Sequence, residues 1–181
     1  MTSLVLAVAL AFQQQAIRQT PTSAGDSAQA VTRQAITDVG RSVANSRNAH
    51  DLLRRAVFNS SDARVVERAQ EMQQRCRELV TIARSATGKA CRSCFAAGAQ
   101  RAISGYRTTG LQAVARVGTR CVSQLTQDLR ARNAAAAVRA SIHALGQVLT
   151  SGLLPYEAKV LDVRRAFGLV VQPADVAQPR R

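Results

Sequence analysis

Guanidinium groups dominate the chemistry open to this chain. All but Lys89 and Lys159 of its 25 basic residues are arginine, set against 11 acids. Arginine stays charged at any physiological pH and offers a planar fork of donors matched to phosphate and carboxylate. Codon usage in a GC-rich genome accounts for a shortage of lysine, but not for a shortage of acids.

The charge is unevenly spread. Residues 89–139 hold Lys89 and the arginines Arg92, Arg101, Arg107, Arg116, Arg120, Arg130, Arg132 and Arg139, against Asp128 alone. This segment supplies more than half of a formal net charge of +14. Residues 60–88 instead mix five arginines with four acids. A solvated surface normally mixes signs in that second way, so the first pattern implies an anionic neighbour. Arg92, Arg101, Arg107, Arg116, Arg120 and Arg130 are the candidate phosphate-binding residues. Phosphate contacts release counterions and require no reading of base sequence. Four Phe, two Tyr and no Trp leave little with which to stack on single-stranded bases. No helix-turn-helix, zinc-finger or RNP-like pattern is present, which disfavours a sequence-specific regulator. Anionic lipid headgroups and acidic protein faces are the competing partners.

Other reactive residues are sparse. Cys76, Cys91, Cys94 and Cys121 are too few for a disulfide scaffold at this length. They are read as buried free thiols, with a metal site or a redox pair at Cys91 and Cys94 as alternatives. His50, which Asp51 follows directly, and His143 are read as surface or packed histidines. Gly88-Lys89 lacks the upstream glycine of a phosphate-binding loop. Asn59-Ser60-Ser61 matches a glycosylation acceptor only formally. The pattern assigns no catalytic residue, metal or cofactor.

Helices must position the arginines. At 46% apolar residues the chain can bury a core, filled mainly by small and branched side chains. Val65, Ala69, Met72, Cys76, Leu79, Ala83 and Ala86 alternate spacings of four and three, predicting a bundle helix that Gly88 ends. Ser60 or Ser61 caps it and Asp62 sits in its first turn. Its arginines and acids pair three or four apart, as Arg64 with Glu67, Glu71 with Arg75, and Arg75 with Glu78. Before it, Val31, Ala35, Val39 and Val43, then Leu52, Leu53, Val57 and Phe58, predict a helix over 27–58 that can break near Asn48. After it, a short apolar helix is expected over 90–104, then a turn between Gly105 and Gly110.

Leu111, Val114, Gly118, Cys121, Leu125 and Leu129 predict a helix over 110–132, with Arg116, Arg120 and Arg130 opposite the stripe. Arg132 would point inward if that phase continued, so the helix breaks at Asn133, which caps a helix over 134–150. Ser151-Gly152 closes that element, and Pro155 opens a last helix over 155–167. The apolar run Leu4 to Phe12 is read as a helix buried against the body or a partner. A membrane-surface anchor and an uncleaved targeting segment are the alternatives.

The expectation is an all-α bundle of about five or six helices with an extended C-terminal arm. Its parts are an apolar N-terminal helix (1–20), a basic helical bundle (21–168) and the arm (169–181). The expected function is that of a non-catalytic structural subunit of a large assembly, a ribonucleoprotein subunit or viral nucleocapsid or coat protein. It would bind nucleic-acid backbone without sequence specificity. The alternative is an accessory subunit of a mitochondrial membrane complex, contacting acidic protein faces or anionic lipid, with residues 1–19 on the membrane surface. Intracellular, mitochondrial and virion locations all remain open.

Overall fold

The computed structural model describes residues 22–168, and regular structure within them is entirely helical. Four helices follow one another: α1 (Thr22–Asn59), α2 (Asp62–Lys89), α3 (97–130) and α4 (Ala134–Ala166). Helix α3 is itself α-helical over Ala97–Gly105, widens to a π-turn at Tyr106–Gly110 and resumes as α-helix over Leu111–Arg130. The connections are short, which makes successive helices antiparallel neighbours. Helix α2 packs between α1 and α3, α3 between α2 and α4, and α4 returns to α1. The expected N-terminal helix and C-terminal arm lie outside the described residues.

The seam foreseen in α2 is its buried face residue for residue, from Val65 to Ala86. Helix α3 buries Leu111, Val114, Gly118, Cys121 and Leu125 along its own stripe. These two faces meet with almost no space between them. A Cβ on Gly118 would fall 2.8 Å from the Cys76 carbonyl oxygen and 2.8 Å from Val80 Cγ2. One turn further on, Cys121 is joined to Cys76 by a disulfide with Cα atoms 6.0 Å apart. The second pair, Cys91 and Cys94, is also a disulfide. The reading of four free thiols is thus corrected. Spacing within one helix could not show that two cysteines 45 residues apart would face each other across a glycine contact. In the chain-entropy account a loop of that length stabilises the fold by roughly 4 kcal/mol.

Three further expectations are revised. The helix expected over 90–104 starts at Ala97, because Cys91–Cys94 closes a turn in the connection before it. The turn expected between Gly105 and Gly110 is the π-turn, so the chain does not leave the helix there. The two helices expected over 134–150 and 155–167 are one, with Pro155 inside α4. A proline there removes one backbone hydrogen bond, at a cost of about 3 kcal/mol. Burial of Leu145, Leu149, Leu153, Tyr156 and Val163 along a single face offsets it.

Helix α1 runs unbroken past Asn48. Its register differs from the expected one at the start: Val31 is 45% exposed while Thr32 is fully buried. The Thr32 hydroxyl accepts from the Cys91 amide at 3.0 Å and lies 3.2 Å from the Lys89 carbonyl oxygen, one of the last carbonyls of α2. A polar side chain wins the buried position because it serves a helix end that water cannot reach. At the opposite end of the bundle, Asn133 caps α4 as expected, its Oδ1 accepting from the Ala136 amide at 3.0 Å.

Gly118→Ala should lower stability by about 1–3 kcal/mol, since the new methyl meets main chain that cannot yield. Gly88→Ala, where nothing lies within 4 Å, should be neutral or raise stability by up to about 1 kcal/mol. Thermal unfolding followed by circular dichroism distinguishes the two; equal melting temperatures would contradict the packing described.

Candidate nucleic-acid interface

Once the stripe from Leu111 to Leu125 is pressed against α2, the opposite side of α3 must face outward. Gln112, Arg116, Thr119, Arg120, Ser123, Gln127 and Arg130 are all exposed along it. Arg116 and Arg130 are about 21 Å apart along the axis at 1.5 Å per residue, with Arg120 one turn beyond Arg116. Arg116 and Arg120 border a groove of about 380 Å³ between α3 and α4. Gln147, Ser151 and Pro155 of α4 form its other bank, and Ala113, Val117, Val148 and Gly152 also line it. The helices approach closely here: a Cβ on Gly152 would sit 2.5 Å from Val117 Cγ2.

This outward strip contains no carboxylate. Asp128, the single acid of residues 89–139, is turned inward and only 5% exposed. It accepts hydrogen bonds from Gln124 Nε2 at 3.0 Å and from the Ser141 hydroxyl, which ties α3 to α4. The acids elsewhere are largely matched. Arg41 pairs with Asp38, Arg64 with Glu67, Arg68 with Glu71, and Arg75 with Glu78, each within one helix. The expected partnership of Glu71 with Arg75 is replaced by Glu71 with Arg68. Arg47 of α1 reaches Glu157 of α4, and Lys159 holds Asp162. The Lys159 hydrogen bond keeps the Asp162 carboxyl below its usual range. Among the described residues, no arginine of α3 makes an ion pair.

The six candidate arginines do not form one cluster. Arg116 and Arg120 share the groove, and Arg130 extends the same face towards the 131–133 connection, where Arg132 is exposed. Arg92 and Arg101 are exposed near the other end of α3. Arg107 is half-buried on the π-turn, and its Nε is buried without a hydrogen-bond partner. Arg139, counted with the basic segment in the sequence, serves the fold instead. It donates to Val57 O at 3.2 Å and to Asp62 at 2.7 Å, and so bridges α4 to the α1–α2 corner.

Two tyrosines and two histidines are the other titratable groups of note. Tyr106 is fully buried with its hydroxyl unpaired, and burial raises its pKa far above the usual range. Burial likewise pushes the Tyr156 hydroxyl up to about 12. The two histidines, far apart in the chain, border one groove between α1 and α4 together with Asp51 and Arg54. His50 Nε2 lies 3.4 Å from the Ile142 carbonyl oxygen. Nothing in their spacing could have shown that they would share a groove. Among the described residues, no group of three or more His, Cys, Asp or Glu could hold a metal ion, and no helix is long and apolar enough to cross a membrane. Comparison with known protein families, with curated proteins and with solved structures returns no match.

Replacing Arg116 and Arg120 together by Gln should leave stability within about 0.5 kcal/mol, because neither side chain is engaged within the fold. Arg139→Ala should cost roughly 1–3 kcal/mol by stranding the Val57 carbonyl and removing packing between α4 and the α1–α2 corner. Urea unfolding of the two variants provides the measurement. A large drop in stability of the Arg116/Arg120 variant would show that those residues serve the fold itself.

Proposed function

We propose that this protein is a non-catalytic helical scaffold that holds the phosphate backbone of a nucleic acid, as a structural subunit of a larger assembly. The observation that supports this most is the acid-free outer side of α3. Arg116, Arg120 and Arg130 stand exposed without ion pairs, and the nearest acid in sequence, Asp128, is buried. Guanidinium groups spread along about 21 Å of rigid helix can meet successive phosphates of a strand without distinguishing bases. Gln112, Ser123 and Gln127 between them can donate to the same oxygens. Arg92 and Arg101 would extend the contact towards the start of α3.

A second reading draws on the disulfides. Bridges such as Cys76–Cys121 and Cys91–Cys94 persist in oxidising compartments. There an anionic membrane surface or an acidic partner subunit is a ready source of negative charge. On this reading the same arginines meet lipid headgroups or carboxylates, as in an accessory subunit of a mitochondrial membrane complex, and residues 1–19 add an apolar contact.

Changing Arg116, Arg120 and Arg130 to Gln should weaken binding to DNA and RNA of any sequence. It should also flatten the dependence of log K on log salt by about 0.9 for each duplex-DNA phosphate that is no longer neutralised. Fluorescence anisotropy between low and moderate salt measures both. Absence of nucleic-acid binding at low salt, together with flotation on vesicles containing anionic lipid, would replace the first reading by the second.

A further inference from the structure

The proposed phosphate contacts make no use of the Cys91–Cys94 bridge. It lies in the α2–α3 connection with Cα atoms 5.6 Å apart, and both residues keep part of their surface in solvent. Cys76 and Cys121 are wholly buried. The two disulfides therefore differ in their access to a reductant. They differ also in what they hold. The buried one fastens α2 to α3, whereas the exposed one joins residues three apart, so opening it releases no helix.

The connection is anchored independently of its own bridge. Besides the Thr32 contact to the Cys91 amide, Gln29 Nε2 donates to the Cys94 carbonyl at 2.7 Å and Gln100 Nε2 to the Phe95 carbonyl at 2.8 Å. The Phe95 ring stacks on Phe167 with centroids 5.2 Å apart. A segment pinned in this way keeps its sulfurs close when the bond between them opens.

The flanking sequence is also positively charged. Arg92 lies between the two cysteines and Lys89 lies two residues before them; both are exposed and form no ion pair among the described residues. The Ser93 hydroxyl is 3.7 Å from Cys91 Sγ. Helix α3 begins at Ala97 without a side-chain cap, so its positive end lies just beyond Cys94. Carboxylates on the adjoining helix ends are Asp26 of α1, which is exposed, and Asp162 of α4, which is held by Lys159. Cationic neighbours and helix N-termini lower thiol pKa values and speed exchange.

We propose that Cys91–Cys94 is a thiol–disulfide exchange site whose co-reactant is a dithiol with its two sulfurs spaced to close an unstrained cyclic disulfide. One thiolate of the dithiol bonds to a sulfur of the pair as the Cys91–Cys94 bond breaks, and the released cysteine thiolate takes a proton. The second thiolate of the donor then displaces the sulfur to which the first is attached. The donor leaves as a disulfide and the second cysteine becomes a thiol. Two electrons and two protons pass to the protein, and nothing else is consumed.

The test titrates the folded full-length protein with dithiothreitol at neutral pH, quenches with an alkylating agent and maps modified cysteines by mass spectrometry. Cys91 and Cys94 should be alkylated at reductant concentrations about tenfold or more below those that open Cys76–Cys121, with helicity by circular dichroism unchanged. A disulfide-closed peptide of residues 89–96 supplies the rate of the same bridge outside the fold. The protein should react roughly tenfold faster than this peptide, and Arg92→Glu should slow the protein several-fold. Equal rates in protein and peptide, an unchanged rate in Arg92→Glu, or opening only together with the buried bridge would each overturn the proposal.

Discussion

The contact between α2 and α3 at Gly118 governs the rest of this molecule. With no side chain at that position, the α3 backbone comes down onto the Cys76 carbonyl, and the Cys76–Cys121 bridge fixes the helices there. Rotation of α3 about its axis is thereby set. A rotation of one residue, about 100°, in the sense that carries Arg116 and Arg120 towards the core would bring Leu111 and Leu125 out to solvent. The outward strip of arginines is thus a consequence of where two backbones touch.

This constraint also explains how a core so poor in aromatics holds together. Val, Leu and Ala bury less area per residue than Phe or Trp, but they let helices approach closely, and packing density compensates in part. Gly118 and Gly152 mark the tightest places, one between α2 and α3 and the other between α3 and α4. The covalent tie adds what burial alone supplies sparingly. Tyr106 and Tyr156, with centroids 6.1 Å apart, fill the space beside the π-turn. Helix α3 widens at that point instead of breaking.

Electrostatics divides the bundle into two sides. Carboxylates on α1 and α2 pair mainly with arginines a turn away on the same helix, an arrangement of modest energy that offsets part of the positive charge there. Along α3 the single acid is consumed inside by Gln124 and Ser141. The fold thus sharpens an asymmetry already present in composition, and the positive side remains available for an anionic neighbour.

Much of this was legible in the sequence. The α2 seam, the inward stripe of α3 and the cap at Asn133 follow from periodicity and capping chemistry, which act within a few residues and so are written locally. Arg116, Arg120 and Arg130 could be placed outward for the same reason. What no local pattern contained was any relation between residues distant along the chain. The pairing of Cys76 with Cys121, the inward turn of Asp128 to Ser141, the use of Arg139 at the α1–α2 corner and the burial of Thr32 against the end of α2 belong to this group. Pro155 belongs there too: its local signal to start a helix was overruled by the buried face that runs through it. The amino-acid order alone determined that the chain forms amphipathic helices with unbalanced positive charge, because both properties depend on near neighbours. Only the tertiary structure decided which groups meet and which stay free, because those energies arise from contacts between separate helices.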